Sequence, residues 1–226
     1  MDSSRERRSP AGGAAVVIVG CGGHGREIFE IIRAINAASP GGPRWTVTGF
    51  VDDKPSAVNR ERVDRLGSIY LGPLEWLAEV GPDTAVALGI GDPRARRAVA
   101  ARVDRYGLRY ASLVHPQATV GPDLVAGDGA ILFAGARVTT NVVLGRHVHL
   151  NQNATVGHDS ELGDFVSVNP LAAVSGECRI GGGVLIGTTA AVLQGLVVGV
   201  DATVGAGACV VRDVAAGAVV KGVPAR

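Results

Sequence analysis

The chain has 226 residues, 46% of them hydrophobic and 19% charged, with a formal net charge of +1. That balance excludes the strong basic field of a nucleic-acid or anionic-membrane binder, and the length accommodates two modest domains. Cys21, Cys178 and Cys209 are odd in number and share no disulfide or metal-ligand spacing, which points to a reducing, cytoplasmic compartment.

Residues 1–13 are polar and basic, so the reading is a disordered tail rather than a secretory signal. No apolar stretch has the length of a membrane span. Ala14 to Val19 is a continuous apolar run of strand type. It leads into Gly20, Cys21, Gly22, Gly23, His24 and Gly25, and then into the helical pattern Glu27, Ile28, Ile31, Ile32, Ile35. Strand, glycine turn and helix open a βαβ unit whose helix N-terminus can receive a phosphate. A second strand, Trp45 to Val51, ends in Asp52, Asp53 and Lys54, where acids can meet a ribose or a base edge. The pattern continues with a short strand over Ser68 to Leu71, a short helix over Pro73 to Val80 and a strand over Thr84 to Ile90. A helix over Pro93 to Tyr106 follows, its arginines read as a solvated face. This block has room for one mononucleotide half and not for a full dinucleotide fold, which argues against an NAD enzyme.

From Val114 to Val214 an aliphatic anchor returns every six positions without a slip, all Val, Ile or Leu except Ala126. Neither a 3.6-residue helix nor a plain hairpin has that period; short strands that turn a corner every six residues do. The anchor and the residue two before it then face inward, and glycines such as Gly121, Gly145 and Gly157 are expected to permit the corner angles. The result is a parallel β-helix stabilised by stacked coils. The expected division is a tail over 1–13, a small α/β nucleotide-binding domain over 14–112 and the β-helix over 113–226. Aliphatics on outward positions, among them Val143, Leu193, Val197 and Val211, predict self-association. Residues 215–226 are expected to cover the last coil.

Histidine suits proton transfer near neutrality, and His158, two residues past the inward Val156, points outward near a corner. Asp159 follows it and, if the corner lets it reach, stabilises the imidazolium. Asn151 at an outward position is a candidate to orient an amine or water, or a hydrogen-bonded turn residue. His147 and His149, alternate on one strand, raise the rival reading of a zinc enzyme of the gamma-carbonic-anhydrase type. A non-catalytic nucleotide-sugar sensor or scaffold is the reading from another class. No metal is assigned.

A GxGGHG turn, a DDK after the second strand, hexads, Gly157-His158-Asp159 and the closing GVPAR together resemble the bacterial sugar acetyltransferases grouped with sialic acid O-acetyltransferases, above all those that N-acetylate nucleotide-linked amino sugars. The resemblance implies a left-handed β-helix with three sides per coil, a homotrimer, acetyl-CoA as co-substrate and a nucleotide-linked sugar as acceptor, with sialic-acid-like O-acetylation as the alternative. It also implies His158 as general base with Asp159 supporting it. Gly22, Gly23, His24, Asp52, Asp53 and Lys54 then hold the nucleotide-sugar, and Gly176, Thr188 and Ala206 touch acetyl-CoA. Nine residues past the base the family often has a second histidine at the thioester, where this chain has Ser167; its hydroxyl is expected to meet the acyl donor.

Overall fold

The computed structural model describes residues 13–226; all but the last residue of the expected tail over residues 1–13 lies outside the described residues. The amino-terminal block contains β1 (Ala14–Val19), α1 (Gly23–Ala37), β2 (Trp45–Val51), α2 (Ala57–Arg65), β3 (Tyr70–Gly72), a 3-10 turn (Leu74–Glu79), β4 (Ala85–Leu88), α3 (Pro93–Val103) and β5 (Arg109–Tyr110). All five strands are parallel, in the order β3-β2-β1-β4-β5. Val16 to Val19 and Ala85 to Leu88 are buried, which explains why these strands read as unbroken apolar runs. The sheet extends past β1 on both sides, so it is wider than the single half-unit expected, and the glycine turn after β1 lies where the strand order reverses. Sequence periodicity also passed over α2, whose only buried residue is Val63 and whose start is marked by Ser56 accepting from the Asn59 amide.

From Leu113 to Val210 two-residue strands recur every six residues and form three parallel sheets, the walls of a left-handed prism. Register shows the turn of the coil: Thr155 pairs with Arg137 above it and Ala173 below it, eighteen residues away in each direction. The first wall includes Leu113–Val114, Ile131–Leu132, His149–Leu150 and Ser167–Val168; the second includes Arg137–Val138 and Thr155–Val156; the third includes Val143–Leu144 and Glu161–Leu162. Anchors and the residues two before them fill the interior, as with Leu150 over Val168 and Val148 over Val166, all buried. Val114 and Val120, on the first coil, are 44% and 42% exposed because no coil lies above them. At the other end Val219–Val220 pairs with Thr203–Val204, and Val214 and Ala225 join the core, so the closing segment covers the last coil.

The corners depart from the glycine reading. The left-handed residue stands three positions after each anchor from Val120 to Val204, and ten of these are not glycine, from Asp123 to Asp201. Glycines directly after an anchor serve close approach instead: a Cβ on Gly157 would lie 2.5 Å from the Gly176 amide nitrogen on the next coil. One arginine of α3 also departs from the solvated face, while Arg94 stays exposed. Arg96 is fully buried and donates to the carbonyls of Ile90, Gly91, His147, Phe165 and Val166 and to the Ser167 hydroxyl, tying α3 and the loop after β4 to the first coils. Burial pulls its pKa down to about 9, still above neutrality, so the guanidinium keeps its charge.

Candidate active site

His158 stands at the corner that follows the second wall, its backbone fixed by the buried pair Ala154 and Val156. The next residue, Asp159, takes φ 61°, and this left-handed step turns its carboxylate back toward the ring. Its Oδ2 lies 2.6 Å from His158 Nδ1. Asn141, one coil above at the same corner, donates from Nδ2 to Asp159 Oδ1 at 2.7 Å. The Asn141 hydrogen bond first and the His158 contact second hold the Asp159 carboxyl below its ordinary range, so it is an ionised acceptor at neutral pH. An ionised acceptor at Nδ1 fixes the proton there and leaves the Nε2 lone pair outward. No hydrogen bond occupies Nε2 among the described residues, and the His158 side chain is 49% exposed. Gly176, one coil below, makes room for the ring: a Cβ there would lie 2.6 Å from His158 Cε1 and Nε2. The corner thus presents an oriented base with an unoccupied nitrogen.

The glycine turn is a second center. Gly20 has φ 106°, a Cβ on Gly25 would lie inside contact distance of the Gly20 carbonyl, and a Cβ on Gly89 would lie 2.5 Å from the Gly25 Cα, so strand and helix meet as closely as two backbones can. Gly22 caps α1 without a side chain, and a Cβ on it would meet nothing within 4 Å; the first helical amides are open to an anionic group. Asp52 braces the turn, accepting from the Cys21 amide at 2.8 Å and from the Lys54 amide at 3.0 Å. Asp53 is committed to its own chain instead, accepting from the Leu74 amide and pairing with Arg102, which holds its carboxyl below the usual range. Lys54 is exposed and His24 half-buried.

The remaining candidates separate. Asn151 is nearly buried and its amide donates to the Val168 carbonyl and to Asn169 Oδ1; it is a hydrogen-bonded wall residue rather than an outward polar group. Ser167 is a correction: it is fully buried, donating to the Gly91 carbonyl and accepting from Arg96, so its hydroxyl does not reach an acyl donor. Thr188 and Ala206 are exposed and stack eighteen residues apart at the corner after the first wall. His24 also lies against that wall, with Nε2 2.9 Å from His149 Nδ1. One complete wall therefore separates both groups from His158 within a single chain. The zinc reading loses its ligands: His147 is boxed between Tyr110 and Phe165, His149 is buried on His24, and neither shares a corner with His158.

Asn141, Arg96 and the steric role of Gly176 escaped sequence reasoning. Two of them had a signal, since Asn141 and Gly176 lie eighteen residues from Asp159 and His158. The register of Arg96 against the first coils has no local signature.

Among the described residues no helix is long and apolar enough to cross a membrane. Residues 15–103 match the family described as the PglD N-terminal domain. A His-to-Asn mutant of perosamine N-acetyltransferase from Caulobacter crescentus, in complex with CoA and GDP-perosamine, superposes with a TM-score of 0.82 at 31% identity over 95% of this chain and 96% of that one. The acetyltransferase domain of PglB from Neisseria gonorrhoeae, also known in complex with acetyl coenzyme A, gives 0.79 at 33% identity over 95% and 99%. WeeI from Acinetobacter baumannii gives 0.81 at 26% identity over 94% and 98%. No curated protein matches the chain.

Proposed function

We infer the reaction from the premise that this chain belongs to the hexapeptide-repeat N-acetyltransferases of nucleotide-linked amino sugars, an assignment carried by 31% and 33% identity over nearly whole chains. It is an acyltransferase with acetyl-CoA as co-substrate, and its acceptor is the amine of a nucleotide-linked amino sugar. The observation that carries this reading is the His158 ring, held by Asp159 at 2.6 Å with Nε2 unoccupied.

Acetyl-CoA supplies the acetyl group as a thioester whose carbonyl carbon accepts the amine and whose sulfur leaves. His158 Nε2 removes the proton from the amine as the carbon–nitrogen bond forms, and the imidazolium returns that proton to the departing thiolate. Asp159 stabilises the imidazolium and keeps the tautomer, while Asn141 keeps the carboxylate aimed. Residues 14–112 hold the nucleotide through the open amides at Gly22 and Gly23, with His24 and Lys54 at the rim and Asp52 bracing the turn. Residues 113–226 supply the base, and the exposed Thr188 and Ala206 receive acetyl-CoA together with the backbone at Gly176.

The working unit is a homotrimer. His158 and Gly176 lie a full wall away from His24, Thr188 and Ala206, so a second chain brings its own base to that corner. The exposed Val125, Val143 and Val197 on the third wall supply apolar area for the contact. A thiol-release assay with acetyl-CoA across nucleotide-linked amino sugars and sialic acid tests the acceptor. Release with a nucleotide-linked amino sugar is expected; release with sialic acid alone overturns the amine assignment.

A further inference from the structure

His149 has no part in the chemistry above, yet it is a fully buried imidazole on the first wall in contact with the nucleotide-binding turn. We propose that His149 is a positioning residue that fixes the tautomer and rotamer of His24, so that the His24 Nδ1–H is aimed out of the glycine turn toward an oxygen of the nucleotide-sugar. The inference rests on the reading that this turn holds the nucleotide.

The geometry assigns each proton. Glu27, in the first turn of α1, has a carboxylate oxygen 3.6 Å from His24 Nδ1, and His24 is the first cause of its lowered pKa. A carboxylate only accepts, so the nitrogen facing it carries the hydrogen. With that hydrogen on Nδ1, His24 offers its lone pair at Nε2, and the contact at 2.9 Å makes His149 Nδ1 the donor. His149 stays neutral because burial, foremost, holds its pKa well below the ordinary value, with Arg96, His24 and His147 acting in the same direction. Its one proton is therefore on Nδ1, and its Nε2 is a bare nitrogen with no partner, the less costly form of an unpaired buried group. Phe133 packs against the His24 ring, with centroids 5.0 Å apart, and limits its swing. At 3.6 Å, Glu27 is too far for a good hydrogen bond, so the Nδ1–H remains available to a closer oxygen.

The test uses the full-length protein with His149→Leu, which keeps bulk and removes the donor, and His149→Asn, whose amide can stand where Nδ1 stood. Histidine 15N shifts report the His24 tautomer, and steady-state kinetics with acetyl-CoA and a nucleotide-linked amino sugar report KM. His149→Leu is expected to lose the fixed Nδ1–H tautomer and to raise KM for the sugar by about tenfold, the loss of one hydrogen bond, with KM for acetyl-CoA unchanged. His149→Asn is expected to restore both. An unchanged His24 tautomer in His149→Leu overturns the proposal, as does a KM equal to that of the wild type, or equal losses for both substrates in both variants. If the wild-type protein takes up no nucleotide-linked sugar, the functional reading fails by itself, while the 15N shifts still decide whether His149 sets His24.

Discussion

Replacing Gly176 with alanine places a methyl group where the His158 ring now lies. The added carbon would sit 2.6 Å from Cε1 and Nε2 and 3.0 Å from Cδ2. Carbon contacts relax only near 3.5 Å, so the ring retreats by roughly 1 Å. That movement takes Nε2 off line and stretches the 2.6 Å contact between Nδ1 and Asp159. A misplacement of about 1 Å at a reacting group costs on the order of 10²-fold in rate, or about 2.7 kcal/mol in barrier. Gly176 does not occupy the left-handed region, so alanine adds no backbone strain and the fold persists. Thiol-release kinetics of Gly176→Ala, of His158→Ala and of the double variant form a cycle. The expected result is a hundredfold lower kcat in Gly176→Ala that disappears in the His158→Ala background. Wild-type kcat, or the same loss on top of His158→Ala, would refute the reasoning.

Three further outcomes follow from the same geometry. His147 is buried with neither ring nitrogen hydrogen-bonded, and burial, foremost, lowers its pKa from 6.5 to about 4. The unfolded chain therefore takes up a proton near pH 6.5 that the folded chain refuses until near pH 4; the His147 contribution is complete above pH 6.5 and about 3 kcal/mol is lost as pH falls through this window. His147→Phe, at a corner where Phe165 already tolerates φ 61° one coil below, should flatten that decline in urea titrations, and an identical decline contradicts it. Asp159→Asn can donate to Nδ1 and shift the ring proton to Nε2, so kcat/KM is expected to fall by about 10² to 10⁴; an undiminished value removes Asp159 from the mechanism. Mixed trimers of His158→Ala with a Gly22→Val chain, whose nucleotide turn is blocked, should regain roughly a quarter of wild-type turnover if each site is shared by two chains. No recovery on mixing contradicts the shared site.

Much of the architecture was legible because it is local and periodic. An apolar residue every six positions forces stacked short strands, and the phase of Val156 alone placed His158 at an outward corner. Asp159 was reachable because its own backbone turns at the corner. What escaped was set by which wall another element covers. Ser167 and Asn151 have outward phases, but Ser167 lies beneath Gly91 and Arg96, and Asn151 bonds within the wall; periodicity gives direction and not coverage. Arg96 read as one more solvated arginine because its acceptors are backbone carbonyls, which no side-chain pattern reveals. The charged α2 lacked an apolar stripe and so carried no helical period. Glycines after anchors were credited with bending the chain, when contact with the adjacent coil is what excludes a side chain there.

The base at the coil corner is tested most directly by His158→Asn in the intact protein, assayed for thiol release with a nucleotide-linked amino sugar and titrated with acetyl-CoA by calorimetry. Loss of the proton acceptor without loss of the donor site predicts turnover lower by about 10³ and acetyl-CoA affinity within about twofold of wild type. Turnover equal to wild type in that variant would contradict the assignment of His158.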